Sequence, residues 1–449
     1  MKTCILKIID EVNVKILGLE SSDSKALVNK FSYLLPHARH TPAFKLGRWN
    51  GKISFFQLGG GTYINLLDEI VPYLVDHGYD IEISDNRSYK THFDFTEVDE
   101  NYLAHKKWPE GHRLAGQPII LNDHQVLAIN NYLKNPQSLQ ELSTASGKTI
   151  IVAALSIQVE EYGRSIIIVP NRSLIKQTLE DYVNLGLDVG VFYGKEKDYT
   201  KTHTICTWQS LNSLFKKTKA GEAEITFSDF IEDVVCVIVD ECHGVKADAL
   251  KTMLTGVMAH IPLRWGLTGT IPKEEFNFKA LQVSIGDVVG QVTAAELQQK
   301  GILADCFIHI KQLQDNRDLG DYQSELKWLL SNGDRLDQVA EMIDRYSATG
   351  NTLVLVDRIA CIQDLALRLP PDRVAVVTGK VKDKVREEEY ANIATSDNKI
   401  LIATYGVAAV GINLPSLRNI ILIEPGKSFI RVIQSIGRGL RIDNDKDYV

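Results

Sequence analysis

An apolar run that ends in two carboxylates constrains this chain more than any other feature. Val234–Val239 is almost continuously apolar, which is typical of a strand buried on both faces of a parallel sheet. It is followed directly by Asp240-Glu241-Cys242-His243. Acidic side chains at the C-terminal end of such a strand lie in the crevice where α/β sheets bind ligands. We therefore predict that Asp240 holds a Mg²⁺ ion and that Glu241 orients or deprotonates an attacking water.

A segment upstream has the composition of a phosphate-binding loop. Ser143-Thr144-Ala145-Ser146-Gly147-Lys148-Thr149 precedes a predicted apolar helix over 150–157. Nucleotide phosphates need backbone N–H groups at a helix N-terminus, a lysine for the β- and γ-phosphates, and a hydroxyl on Mg²⁺. Gly147, Lys148 and Thr149 supply the last three positions of that motif, although Leu142 stands where the general pattern begins with glycine. The two segments together predict ATP and Mg²⁺ as cofactors.

The arrangement of apolar segments predicts several domains. Short apolar strands alternate with helices from about residue 117, which indicates an α/β fold with a mainly parallel sheet. A chain of 449 residues suffices for several domains. We predict a small α+β domain over 1–98, a linker over 99–116, and two α/β domains over 117–290 and 291–449. No apolar run approaches the ~20 residues of a membrane span. The six cysteines have no CxxC spacing, which favours a reducing, cytoplasmic compartment.

The charge distribution is uneven along the chain. The net charge of −7 argues against a protein that simply coats nucleic acid. Residues 24–67, however, contain no acidic residue and interleave basic with aromatic side chains. Asn50-Gly51 predicts a two-residue hairpin there. Arg48, Trp49 and Lys52 would then contact DNA, or Trp49 would be core and the basic face merely solvated. A basic loop predicted over 215–221 would either contact duplex DNA near the point of strand separation or be a solvated loop.

These features resemble the DExH helicases of superfamily 2. The remaining segments of the family pattern occur in order along the chain. They are an adenine-reading segment at 121–125, motif Ia at 166–172, motif Ib at 204–211, motif III at 266–270, motif IV at 353–358, motif V at 402–415 and motif VI at 434–441.

The resemblance implies two tandem RecA-like parallel-sheet domains and a role for each matching residue. Arg438 and Arg441 would be arginine fingers that reach the γ-phosphate when the two domains close. Besides the loop 143–149, the nucleotide contacts would be Gln125, Gly411, Arg438 and Arg441, with Thr149 and Asp240 on the metal. Coupling of hydrolysis to strand movement would use His243, Thr268, Thr270 and Gln434. The nucleic-acid contacts would be Pro170, Asn171, Arg172, Thr207, Trp208, Gln209, Arg358 and Thr404.

A narrower resemblance covers nearly the whole chain. Phe44–Ile53 and Thr404-Tyr405-Gly406-Val407 are similar to segments of the UvsW-type bacteriophage helicases. This implies an ATP-dependent phage helicase that remodels branched DNA in the host cytoplasm. It would act as a monomer on forks, Holliday junctions, D-loops and R-loops, with 3′-to-5′ tracking.

Three alternatives remain. The chain could translocate on duplex DNA without separating its strands, or act on RNA as a DExH helicase. It could also bind nucleic acid through a motor that has lost activity, although Lys148, Asp240, Glu241, Arg438 and Arg441 are all intact.

Overall fold

The chain forms two compact units, one made of residues 1–142 and 147–291 and the other of residues 143–146 and 292–449. The computed structural model describes residues 2–87, 92–110, 112, 114–244, 247–314, 319–381, 383–407, 414, 416–424, 432, 435–437, 439–440 and 449. Within these residues, no helix has both the length and the apolar character needed to cross a membrane.

The first unit begins with a small α+β region. Its elements are β1 (Lys2–Ile8), β2 (Asn13–Leu17), α1 (Ser21–Lys30), β3 (Ser32–Leu34), α2 (Pro42–Lys45), β4 (Lys52–Ser54), β5 (Gly61–Tyr63), α3 (Leu67–Asp76) and β6 (Tyr79–Asp85). Four strands form a sheet in the order β5-β2-β1-β6, in which only β1 and β6 are parallel. Alternate residues of β1 and β2 are buried, because one face of this sheet covers the core.

The chain before β4 differs from the predicted two-residue hairpin at Asn50-Gly51. β4 pairs antiparallel with β3, so residues 35–51 form the connection. Thr41 caps a short helix and Pro42 occupies its first position, which removes residues 42–45 from any strand. The side chain of Asn50 accepts a hydrogen bond from the backbone N–H of Lys52 at 3.0 Å. The basic segment is therefore a long connection that leads into β4, and the hairpin prediction is wrong.

The rest of the first unit is an α/β region. Its elements are α4 (Asp123–Lys134), β7 (Gln137–Leu142), α5 (Lys148–Val159), β8 (Arg164–Val169), α6 (Arg172–Asn184), β9 (Val189–Tyr193), β10 (Glu196–Lys197), β11 (His203–Thr207), α7 (Trp208–Ala220), α8 (Phe227–Phe230), β12 (Val234–Val239), α9 (Ala247–Leu254), β13 (Leu263–Thr268), α10 (Glu275–Ser284) and β14 (Asp287–Val292). The strand order is β10-β9-β11-β8-β12-β13-β7-β14. The ladders from β9 to β7 are parallel, and β10 pairs antiparallel with β9.

Two predicted segments of this region have different outcomes. The strand over 234–239 is confirmed as β12, in the middle of the sheet, where helices cover both faces. The basic loop predicted over 215–221 is instead the last turns of α7. That helix ends at Ala220, and the next residue, Gly221, caps it with a φ of 72°, the left-handed conformation common at helix C-termini. Good helix formers such as lysine extend the helix past the predicted boundary.

The small N-terminal region shares its hydrophobic core with α10. Phe276, Ala280 and Val283 on one face of α10 are buried together with side chains of α1, α3 and the N-terminal sheet. The ring of Phe276 lies 5.6 Å from that of Phe55. At the edge of the contact, Lys279 Nζ pairs with Glu69 Oε1 at 2.5 Å. The small region and the α/β region therefore pack as one body.

The second unit contains a smaller sheet. Its elements are α11 (Ala294–Gln299), α12 (Tyr322–Leu329), α13 (Gly333–Ser347), β15 (Asn351–Val356), α14 (Ile359–Ala366), β16 (Val374–Val377), α15 (Asp383–Ala394), β17 (Ile400–Thr404) and β18 (Leu417–Leu422). The strands are parallel in the order β16-β17-β15-β18. The apolar face of α13, with Leu336, Val339 and Ile343 buried, packs on this sheet.

Candidate nucleotide and nucleic-acid sites

The predicted phosphate loop connects β7 to α5. Gly147 is the N-cap of α5 and has a φ of 81°, which glycine adopts without steric cost. A Cβ at this position would collide with the side-chain amide of Gln125. Ala145 is also left-handed, with a φ of 67°. Left-handed residues in such a loop turn successive backbone N–H groups toward one side, which is a geometry that binds phosphate oxygens.

The two predicted carboxylates follow β12 directly. The backbone N–H of Glu241 donates to Oδ1 of Asp240 at 2.9 Å, which holds that carboxylate at the end of the strand. Glu241 itself has a φ of 47°, a conformation that costs a non-glycine residue energy. Such strain is concentrated at functional sites, because the surrounding structure must enforce it.

An ion pair joins the loop to this carboxylate pair. Lys148 Nζ lies 3.1 Å from Glu241 Oε1, and both side chains are mostly buried. Lys148 also donates to the carbonyl of Leu142 at 3.3 Å, at the end of β7. The lysine is thus positioned from both sides at the first turn of α5.

A chain of polar contacts continues from Glu241 to the end of β13. His243 Nδ1 lies 3.4 Å from Glu241 Oε2 and 2.6 Å from Thr268 Oγ1. The Thr268 hydroxyl donates to the carbonyl of Thr270 at 2.9 Å and accepts from its N–H at 3.1 Å. Because the Thr268 hydroxyl proton is directed at the Thr270 carbonyl, His243 Nδ1 is the donor in its hydrogen bond with Thr268 Oγ1. Burial lowers the pKa of His243, against the opposing effect of Glu241, so the neutral ring is favoured.

Two other predicted nucleotide residues have definite positions in the first unit. Gln125 is buried, its Oε1 accepts from the backbone N–H of Asn122 at 2.9 Å, and its amide lies against Gly147. Thr149 is the second residue of α5. The Thr149 hydroxyl and the Asp240 carboxylate are hard oxygen donors, the type that Mg²⁺ prefers, so this pair fits the ion.

The candidate nucleic-acid residues of motifs Ia and Ib lie at the same sheet edge. Pro170-Asn171-Arg172 follows β8, and Thr207-Trp208-Gln209 follows the adjacent strand β11. The side chain of Gln209 donates to the Pro170 carbonyl at 3.5 Å. Asn171 and Thr207 cap helices α6 and α7 with their own side chains. The ring of Trp208 is partly buried and packs against the hydrophobic core.

The remaining candidates lie in the second unit and in the small region. In the second unit, Arg358 follows β15 and Thr404 ends the adjacent strand β17, again at one sheet edge. In the small region, Arg48 and Lys52 are exposed, and the indole N–H of Trp49 donates to the Lys52 carbonyl at 3.0 Å. The predicted residues that lie outside the described part of the chain are Gly411, Gln434, Arg438 and Arg441.

A groove of about 790 Å³ beside motifs Ia and Ib was not predicted from the sequence. Lys195 on the β9–β10 turn, Lys197 on β10 and Lys217 on α7 line it. Lys217 lies in the basic segment 215–221, for which a DNA contact was one of the two alternatives, whereas Lys195 and Lys197 alternate with Glu196 and Asp198 and form no basic run.

Comparisons with known proteins agree with this geometry. Residues 118–273 match the family model described as "Type III restriction enzyme, res subunit", and residues 334–443 match "Helicase conserved C-terminal domain". The ATP-dependent DNA helicase UvsW of Enterobacteria phage T4 is 24% identical over 451 residues, covering 96% of this chain and 86% of the relative.

Two further comparisons extend the result. The DNA 3′-5′ translocase XPB2 of Sulfurisphaera tokodaii is 28% identical over 209 residues, covering 46% of this chain and 42% of that protein. The crystal structure of T4 UvsW superposes with a TM-score of 0.52 at 20% identity, covering 97% of this chain and 87% of that one. The predicted fold is thereby confirmed: two RecA-like parallel-sheet regions preceded by a small α+β region. This chain belongs to the superfamily 2 helicases and is related to UvsW.

Proposed function

We propose that this chain is an ATP-dependent DNA helicase that remodels branched DNA by fork reversal, Holliday-junction branch migration and unwinding of D-loops and R-loops. The observation that carries the motor assignment is the polar chain from Lys148 through Glu241 and His243 to Thr268. Its geometry connects a phosphate-binding lysine to the segment that follows β13. The relationship to a phage DNA helicase supports DNA as the substrate.

In the proposed reaction, charged side chains of this chain provide most of the catalytic effect. Phosphoryl transfer depends on neutralising the charge of the phosphates and on positioning the attacking group. The Lys148 ammonium binds the β- and γ-phosphates, and the Glu241 carboxylate orients a water or takes its proton. Mg²⁺, held by Thr149 and Asp240, would add positive charge at the same oxygens. The roles of Gly411, Gln434, Arg438 and Arg441 in this reaction are proposed from the family resemblance.

The state of the phosphates is communicated through His243. When phosphate engages Lys148, the ion pair with Glu241 weakens, and the carboxylate is released toward the water. Because His243 Nδ1 lies between Glu241 and Thr268, a shift of the carboxylate changes the hydrogen bond to Thr268. The segment 268–270 therefore senses hydrolysis.

DNA contacts are proposed at the two sheet edges and on the small region. Pro170–Arg172 and 207–209 hold the strand on the first unit, and Arg358 and Thr404 hold it on the second. Arg48, Trp49 and Lys52 recognise the branch. We further propose 3′-to-5′ tracking by a monomer in the cytoplasm, in line with the translocase relative for the polarity.

The test is the ATPase rate with matched nucleic acids at one salt concentration. The set comprises single-stranded DNA, blunt duplex, a replication fork, a four-way junction and single-stranded RNA. The proposal expects the fork and junction to stimulate hydrolysis most. A preference for RNA would contradict the DNA assignment.

A duplex translocase is the second candidate, and the restriction-enzyme family match over residues 118–273 favours it. Such a motor would be stimulated most by blunt duplex. It would also displace a triplex-forming strand while leaving forks unopened, whereas the proposed enzyme opens forks.

A further inference from the structure

We infer that Lys195, Lys197 and Lys217 form a single-strand binding groove that continues the DNA path beyond motifs Ia and Ib. This inference rests on the proposed function. The groove lies entirely within the first unit, between the β9–β10 turn, helix α7 and the segment 222–225.

The first argument is the convergence of cations from separate elements. Arg172 comes from the start of α6, Lys195 from the β9–β10 turn, Lys197 from β10 and Lys217 from α7. Glu222 and Glu224 offset only part of this charge. Partial burial and the Lys217 ammonium lower the pKa of Lys197, so the two cations repel each other. A phosphate bound between them would relieve that repulsion.

The second argument is continuity with the strand-binding candidates. Asn171, Arg172, Thr207 and Gln209 line the same groove as the three lysines. The first turns of α6 and α7 also meet there, because β8 and β11 are adjacent. A DNA strand that leaves the loops of motifs Ia and Ib would therefore bring its phosphates to the three lysines without crossing another surface.

The third argument concerns the floor of the groove, which is apolar. Leu214, Ile225 and Phe192 line it. The ring of Phe192 is itself 1% exposed, with Lys197 Nζ 4.0 Å from its centroid. Proteins that bind single strands combine a cationic rim with apolar or aromatic surfaces that contact exposed bases. A duplex presents only its backbone and groove edges, so the floor favours a single strand.

Helix α7 supplies a matched control. Lys216 is exposed and adjacent to Lys217, but it does not line the groove. Lys216→Ala and Lys217→Ala make the same change in charge and in helix propensity. Any difference in DNA binding between the two variants therefore measures the contribution of the groove.

The experiment is binding of a fluorescent single-stranded oligonucleotide, followed by anisotropy across a salt titration. For single strands, each phosphate that the protein neutralises adds about −0.7 to the slope of log K against log[salt]. Lys197→Ala and Lys217→Ala should each weaken binding several-fold and flatten the slope by about that amount. Lys216→Ala should match wild type. Glu222→Gln and Glu224→Gln should tighten binding. ATPase activity without DNA should be the same in all five.

The outcomes separate this inference from the proposed function. If wild type binds single strands and Lys217→Ala matches Lys216→Ala, the groove assignment is overturned while the helicase proposal stands. If the lysine variants bind blunt duplex more weakly but bind single strands as wild type does, the single-strand assignment is overturned. If no DNA raises the wild-type ATPase rate, the proposed function itself fails.

Discussion

Lys148 and Glu241 neutralise each other, with Nζ 3.1 Å from Oε1, at the point where phosphates are expected to bind. A phosphate competes with the carboxylate for the same ammonium group. Removing one member of a mostly buried pair leaves the other charge without compensation, so single substitutions should have large effects.

Glu241→Gln should bind ATP but not turn it over. The amide preserves the size of the side chain, removes the charge that orients or deprotonates water, and leaves Lys148 available to phosphates. Loss of a general base typically lowers the rate by ~10²–10⁴. A fluorescent ATP analogue reports binding, and a single-turnover assay reports hydrolysis. Wild-type turnover in this variant would refute the assigned role.

Lys148→Ala should lose both hydrolysis and much of the affinity for ATP. The substitution removes the positive charge at the β- and γ-phosphates and leaves Glu241 to repel them. Steady-state ATPase with saturating DNA and nucleotide binding should be measured together. The thermal midpoint confirms that the variant is folded. Turnover near the wild-type rate would exclude the phosphate-loop assignment.

Thr268→Val should uncouple hydrolysis from unwinding. Valine keeps the shape but removes the group that contacts His243 Nδ1 and the Thr270 backbone. We expect ATPase within a few-fold of wild type, with many more ATP molecules hydrolysed per base pair opened. Thr268→Ser restores a hydroxyl and should restore the ratio. An unchanged ratio in the valine variant would contradict the proposed coupling.

Phe276→Ala should lower the stability of the small N-terminal region and the α/β region together. The ring is 3% exposed and completes the core that α10 shares with the N-terminal sheet. Truncation of a buried phenylalanine costs ~3–5 kcal/mol. Phe307→Ala is the control, because that ring is 65% exposed. Two separate melting transitions, with only one shifted, would contradict the shared core. For the same reason, point substitutions test the small region better than its deletion.

Glu424→Gln should change how stability depends on pH. Burial raises the pKa of Glu424 to about 7, although Arg335 and Arg358 oppose the shift. The folded chain therefore holds a proton that the unfolded chain releases near pH 4.3. The contribution of Glu424 to stability should fall as pH rises from about 4.3 to 7, and the glutamine variant should lose that contribution. Thermal melts across that range test it, with exposed Glu388→Gln as the control.

The elements that carry local signals were predictable. Val234–Val239 emerged as a central strand because a strand covered on both faces of a parallel sheet is apolar throughout. Gly147-Lys148-Thr149 lies at a helix N-terminus because the apolar residues after it form a buried helix. The two-residue hairpin predicted at Asn50-Gly51 was wrong because Thr41 and Pro42 start a helix. The helix-start signals there outweighed the turn signal.

The sequence alone determined the functional groups that lie in short segments. These are the phosphate loop, the carboxylates after β12 and the threonines after β13. Each lies at the end of a strand or the start of a helix, and parallel strands bring those ends to one edge. The groove lysines and the core shared with α10 depended on the folded chain. Lys217 lies in the basic segment 215–221, but Lys195, Lys197 and the α10 core residues carry no local pattern of their own. Only the pairing of β9 with β11 and the packing of α10 on the N-terminal sheet bring these groups together.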